Sequence, residues 1–239
     1  MGALLPVLAD ANVLVKDVVS FVFYDLCNAS VIDLRWTPHI EAEYTEHRAR
    51  LRAEAEGREP DGEDWIWAAR RMDPIKKWLV SDFLPPGWDA DGARLALLRR
   101  RVSFAPLLAL PDPDDVHVAL AAADWARELK SDVILATENL RDLPAKVLQP
   151  FGVIALHPGD VLELAYQSAP DAASVSLLKT AADFKNPKFE PADLLRSIRH
   201  KQQFSNSQLA DVLERRWGLA KPAPAKLPPA AKKPTLKRS

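Results

Sequence analysis

The sequence has one cysteine, no basic leader ahead of its first apolar residues, no apolar run of membrane-spanning length and no internal repeat. The lone Cys27 excludes a disulfide framework and leaves a thiolate metal cluster without ligands, as fits a reducing compartment. It stands in an apolar stretch, where a buried structural cysteine is expected rather than a nucleophile. Asp10 interrupts the first apolar run early, which does not suit a secretory signal. No membrane partner and a cytoplasmic location are the expectation.

What is present is an ordinary globular composition. With 239 residues, 48% hydrophobic and 27% charged, the chain is long enough to bury a sizeable core as one domain with an extension. The formal net charge of −1 hides an asymmetry, because residues 221–239 hold six basic residues and five prolines but no acid. Residues 219–239 are therefore expected to form a disordered basic tail.

Taken in order, residues 4–9 read as a buried strand that delivers Asp10 at its end, and 13–26 as a first helix. Residues 31–36 suggest a second strand, and Thr37-Pro38 opens a helix over 39–54 that carries Glu41, Glu43 and Glu46. A helical insert with a Trp-rich pattern occupies 57–101. Its aromatics recur at helix spacing with apolar partners, as packing groups do. Residues 102–110 supply a strand or a turn. The central stretch 110–144 starts with Asp112 as a cap, Pro113 at the first helical position, and Asp114 and Asp115 in the first turn. Its helix runs to about Lys130. An apolar strand over 133–136 follows, and Thr137, Asn139 and Asp142 come directly after it. A short helix (145–148), a strand (152–156) and a helix (158–166) complete the first unit, 1–166, and the extension 167–218 reads as two helices, 191–201 and 206–217. This alternation predicts an α/β fold, a three-layer α/β/α sandwich with a short parallel sheet.

Acids thus fall at four separated points: Asp10, the pair Glu41 and Glu43, the pair Asp114 and Asp115, and Asp142 beside Asn139. An open α/β sheet presents its site at the carboxyl ends of its strands, so these groups are candidates to converge. Like charges brought together raise one another's pKa unless a cation compensates. An oxygen-only set of carboxylates and an amide suits Mg²⁺ or Mn²⁺ rather than zinc. Such a centre suits in-line phosphodiester hydrolysis without a side-chain nucleophile. The competing interpretation is local: carboxylates at a helix start favour the positive end of its dipole.

The segments Asp10-Ala-Asn-Val-Leu, Thr37-Pro-His-Ile-Glu-Ala-Glu43, Asp112-Pro-Asp-Asp-Val-His-Val and Thr137-Glu-Asn-Leu-Arg-Asp142-Leu-Pro144, in that order, resemble the PIN-domain nucleases. The closest group is the VapC-like ribonuclease toxins of bacterial toxin–antitoxin systems. The resemblance spans roughly residues 6–164, with Lys185-Asn186-Pro187 resembling a C-terminal extension of some relatives. It implies a Mg²⁺- or Mn²⁺-dependent endoribonuclease, an RNA substrate, a homodimer and a cognate antitoxin. It also implies roles. Asp10 matches the first metal-binding aspartate, steadied by Asn12, and Glu43 matches the helical glutamate, with Glu41 as the alternative. Asp115 matches the third acid, while Asp114 and Asp112 cap. Asn139 stands where many members have aspartate, and Asp142, three residues on, compensates. The metal ligands implied are Asp10, Asp115 and Asp142, supported by Thr137 after the strand.

Two other phosphate-handling folds start with an aspartate after the first strand. Haloacid dehalogenase-like phosphatases need a second aspartate where Asn12 stands, and receiver domains need an acidic pair and a phosphorylated aspartate after a later strand, a spacing that does not fit here. The substitution at Asn139 keeps a second reading open, a catalytically weak PIN domain serving as an RNA-binding or protein-interaction module. His117, in an apolar helical segment, is expected to be a packed residue rather than a general base.

Overall fold

The computed structural model of the chain describes residues 4–79, 82–185 and 188–219. The basic tail beyond Leu219, and Asn186-Pro187 of the C-terminal motif, lie outside them.

The first strand, β1 (Leu5–Ala9), is apolar from end to end and buries Val7, Leu8 and Ala9, as a strand covered on both faces must. It leads through Asp10 into a single turn, α1 (Ala11–Leu14), and then α2 (Asp17–Asn28). The expected first helix is therefore two helices, because Lys16 takes an extended conformation between them. β2 (Ile32–Arg35) precedes α3 (Pro38–Ala55), whose start is fixed by Pro38 and by Thr37, which accepts a hydrogen bond from the Ile40 amide at 3.3 Å.

The insert forms α4 (Gly62–Trp78), started by a capping box of Asp61 and Asp64, and α5 (Ala93–Arg99). Residues Val102–Ala109 form a 3-10 helix, not a strand. Asp112 then caps a 3-10 turn (Pro113–Asp115) that runs into α6 (Val116–Leu129). β3 (Val133–Ala136), α7 (Ala145–Leu148), β4 (Val153–Leu156) and α8 (Pro158–Ser168) follow. The extension holds three helices where two were expected: α9 (Pro170–Asp183), α10 (Pro191–Arg199) and α11 (Ser207–Arg216).

The four strands make one parallel sheet in the order β2-β1-β3-β4. The chain steps from β1 to one neighbour, returns past it through the insert, and continues on the other side. With right-handed crossovers, a reversal of direction puts the connecting helices on opposite faces. Accordingly α2 packs against β2 and α8, while α6 packs against β3 and β4. The architecture is α/β with an all-parallel sheet and many helices, compatible with a three-layer sandwich. Among the described residues no helix is long and apolar enough to cross a membrane.

Two polar ties anchor the added helices. Asp124, fully buried on α6, receives hydrogen bonds from Arg94 at 2.8 and 3.1 Å and from Arg127 at 2.6 Å, fastening α5 to the domain. Asp25 on α2 accepts from Lys179 and Thr180 of α9, each at 2.7 Å. The insert and extension are thus joined to the helices that flank the sheet.

Candidate metal centre

The strand order reverses between β1 and β3, and the crevice at their carboxyl ends is where an open α/β sheet accepts ligands. Asp10 leaves β1 there. Its amide donates to the Ala136 carbonyl at 3.0 Å, so the backbone closes the sheet while the side chain turns toward the crevice floor. Only 4% of Asp10 is exposed. One carboxylate oxygen accepts from the Ala11 amide at 2.6 Å, and the other from Asn12 Nδ2 at 2.6 Å and the Thr137 hydroxyl at 2.7 Å. Asn12 Oδ1 in turn accepts from the Glu138 amide at 3.2 Å, which links the loops after β1 and β3. Burial pushes the Asp10 carboxyl up, against the Thr137 and Ala11 hydrogen bonds, and the charge of Glu43 adds to the rise.

Asp115 faces this residue from the start of α6. Asp112, Asp115 and Asp142 each offer an oxygen, and these three oxygens lie within 4.8 Å of one another. Burial first, then the charges of Asp10, Asp112, Asp142 and Glu43, push the Asp115 carboxyl up to about 7. Asn139 donates its Nδ2 to Asp115 Oδ2 at 2.7 Å, while its amide donates to Thr137 Oγ1 at 3.0 Å. Five carboxylates therefore share one field. This cluster of acidic residues could hold a metal ion, and its oxygen-only donors suit a hard cation.

The tightest group contains Asp112 in the place expected for Asp10. Asp112 also caps its turn as expected, accepting from the Asp114 amide at 2.9 Å through Oδ1. A carboxylate has a second oxygen, so a cap can be a ligand as well. Asp114 is exposed and contributes its backbone carbonyl instead, to His117 Nδ1 at 2.7 Å. Proline and three acids in a row are an ordinary helix start, and nothing in that pattern marks Asp112 as more than a cap.

The two glutamates of α3 point to different neighbours, as residues two apart on a helix must. Glu41 turns away to Lys76 Nζ at 2.5 Å and Trp36 Nε1 at 3.4 Å. Glu43 turns to His117, whose Nε2 stands 3.4 Å from its Oε2. His117 is 6% exposed. Burial works against its protonation, but Glu43, the Asp114 carbonyl and Asp10 together raise its pKa. With Nδ1 donating to a carbonyl, a neutral ring would aim a lone pair at a carboxylate, so Glu43 favours the imidazolium. His117 is thus buried, as expected, and also in contact with the cluster. His39 adjoins it with ring centroids 6.1 Å apart, and burial, then His117 and Arg99, lower its pKa.

The flanks of the crevice come from the added elements. Gly92, at φ 70° before α5, lies so close to His39 that a Cβ there would stand 2.6 Å from the ring. On the other side Lys16 pairs with Glu138 and reaches the Gln202 carbonyl of the extension. Arg141 is exposed beside the loop and Arg99 to Arg101 lie on the surface of α5 and its end.

No family model matches the chain, and no curated protein or solved structure matches it either.

Proposed function

We propose that the chain is a PIN-like, Mg²⁺- or Mn²⁺-dependent endoribonuclease that hydrolyses RNA phosphodiester bonds, acting as the toxin of a toxin–antitoxin pair. The nuclease reading is carried by one observation: Asp112, Asp115 and Asp142 converge, with Asp10 and Glu43 beside them, at the switch point of a parallel sheet. An uncompensated carboxylate held near pKa 7 by burial and by its acidic neighbours fits a site that balances its charge with a cation. The toxin role, the antitoxin and a homodimer rest on the sequence resemblance alone.

In this reading Asp112, Asp115 and Asp142 hold the ion. When bound, Mg²⁺ or Mn²⁺ lowers the pKa of an attacking water and offsets charge on the phosphoryl and leaving oxygens. Asn12 and Thr137 keep Asp10 in one rotamer, so its charge stays fixed behind the ligands. Asn139 orients Asp115 by occupying one of its oxygens. Glu43 favours the protonated form of His117 at the edge of the site. Outer partners of this kind cost about 10–100-fold in metal affinity or activity when removed.

Glu43 and Glu41 separate a role in the site from mere charge on the helix. Glu43→Gln is expected to lower Mn²⁺-dependent RNA cleavage by at least tenfold. Glu41→Gln, which loses only the Lys76 and Trp36 contacts, should leave the rate within about twofold, as an isolated surface ion pair is worth little. Equal losses in the two variants, measured as initial cleavage rates at saturating metal, would remove Glu43 from the site.

One observation favours the second reading, a binding module with little activity. Asn139 presents an amide to Asp115 where an aspartate would add charge. A protein of that kind would bind RNA in chelator yet leave it intact on addition of Mn²⁺.

A further inference from the structure

The crevice has a second flank, formed where α2 and α8 start, apart from the carboxylate cluster. Lys16, in extended backbone between α1 and α2, turns its Nζ to Glu138 Oε1 and to the Gln202 carbonyl. Glu138 follows Thr137 in the loop after β3, and Gln202 lies in the connector between α10 and α11. One ammonium therefore ties the extension to the loop that leaves β3. His157, after β4, stands with Nε2 3.8 Å from the same Glu138 oxygen. Its Nδ1 accepts from the Gly159 amide at 3.2 Å, which leaves the ring proton on Nε2, facing the carboxylate.

Glu138 is thus held by its side chain, and its backbone passes the constraint on. Its amide donates to Asn12 Oδ1 at 3.2 Å, so the other end of the Asn12 amide is the donor. Nδ2 gives its hydrogens to Asp10 Oδ2 at 2.6 Å and to Thr137 Oγ1 at 3.3 Å. A reversed Asn12 would set its oxygen against the Asp10 carboxylate and its nitrogen against the Glu138 amide. The orientation of Asn12, and with it the rotamer of Asp10, depends on where Glu138 is held. Asp10 is the neighbouring acid whose charge acts most strongly on Asp115. A chain of contacts therefore runs from the extension to the metal centre through Gln202, Lys16, Glu138, Asn12 and Asp10.

The connector at the far end of this chain is held against its own preferences. Ser205 has φ 53°, in the left-handed region that side chains other than glycine rarely adopt, and the buried Gln203 Oε1 has no donor. The Phe204 carbonyl lies against Gly159, where a Cβ would stand 1.7 Å from its oxygen. Contacts outside the segment keep it in place, and Lys16 supplies one of them. Such a segment can be docked or released, and coupling between two places needs a two-state element of this kind.

We propose that Lys16 is a positioning residue that couples docking of the 200–206 connector to cation binding at the carboxylate centre, by holding Glu138 where its amide orients Asn12 on Asp10. The coupling is reciprocal: the ion steadies the connector by the factor by which a docked connector tightens the ion. A partner that draws the connector off the crevice thereby releases the ion. The proposal deepens the nuclease reading and rests on it for the cation. An exposed ion pair with a merely structural role would loosen the connector and leave metal affinity alone.

The test uses the full chain without RNA. Mn²⁺ is titrated by calorimetry, and hydrogen exchange over residues 200–206 is followed by mass spectrometry with and without saturating Mn²⁺. Lys16→Met is expected to weaken Mn²⁺ binding about fivefold or more, the low end of couplings between sites. Lys16→Arg, which keeps the charge and the reach, should restore affinity to within about twofold of the wild type. Saturating Mn²⁺ should slow exchange of the connector about fivefold in the wild type and have no such effect in Lys16→Met. Glu138→Gln keeps the backbone amide but loses the ion pair, and it stands in if Lys16→Met does not fold. It should cost as much as Lys16→Met, and the double variant no more than either, because both break one chain. Faster exchange in Lys16→Met with unchanged Mn²⁺ affinity would overturn the proposal, as would additive losses in the double variant, and either result leaves the metal reading standing. A wild type that takes up no Mn²⁺ sinks the coupling and the nuclease reading together.

Discussion

Asp115→Asn is expected to abolish metal-dependent RNA cleavage while making the metal-free protein more stable. The carboxyl of Asp115 is pushed up to about 7 by burial and by four neighbouring acids. A folded-state pKa above the unfolded value means that the fold prefers the protonated carboxyl. The stability it gives is complete below about pH 4 and lost as the pH rises through about 7. Asparagine keeps the shape, and its carbonyl still accepts the Asn139 hydrogen bond, but it never carries the charge. The melting temperature of the variant should therefore match that of the wild type near pH 4 and exceed it above pH 7. Allowing for solvent screening of a half-exposed group, the gap corresponds to about 1–2 kcal/mol, or roughly 3–6 °C. Mn²⁺ should close the gap from the other side, raising the wild type at pH 7.5 and leaving the variant where it is. Thermal melts in EDTA and in Mn²⁺, at both pH values, check each part. A variant no more stable than wild type at pH 7.5 in EDTA would mean that the acids do not repel as the geometry implies.

The second large effect lies where the extension meets α8. Gly159→Ala is expected to destabilise the protein by about 3 kcal/mol, close to 9 °C in melting temperature. A Cβ at Gly159 would lie 1.7 Å from the Phe204 carbonyl oxygen and 2.8 Å from its carbon. These are backbone atoms and cannot rotate away. Around this contact Asn206 donates to the Gly159 carbonyl at 3.2 Å and to Glu163 at 2.8 Å, while its Oδ1 caps α11 through the Leu209 amide at 2.9 Å. Relief of the clash must move the 204–206 segment, which joins α10 to α11, away from α8 and so disturb the burial of Phe204, Leu209 and Leu213. Limited proteolysis should then cut near Phe204, whereas the wild type resists. A variant that melts with the wild type and resists the protease would show that α10 and α11 adjust without leaving α8.

The parts that could be read in the sequence are those set by local chemistry. Leu5–Ala9 and Val133–Ala136 stand out because a strand buried on both faces is apolar throughout. Thr37-Pro38 and Asp112-Pro113 announce helix starts because a side-chain acceptor and a fixed φ suit those positions. α9 escaped notice because its buried face is made of small and polar residues, Ala173, Ser174, Ser176 and Thr180 among them, and so lacks an apolar period. Thr180 is buried only because Asp25, far off in sequence, accepts its hydroxyl. In the site, Asp10, Asp115 and Asp142 could be singled out by position after strands or at a helix start. Asp112 could not be, because its capping bond uses one oxygen and the sequence is silent on where the other points. The division between Glu41 and Glu43 likewise depends on Lys76 and His117, residues that only the fold brings to them.

The most direct test is cleavage of a mixed cellular RNA pool by purified wild type and Asp10→Asn, each with Mn²⁺, with Mg²⁺ and with chelator. Discrete cuts by the wild type in either metal, absent in chelator and from the variant, are the expected result. Intact RNA in every wild-type lane, with any antitoxin verified absent, would contradict the nuclease reading and leave a binding module in its place.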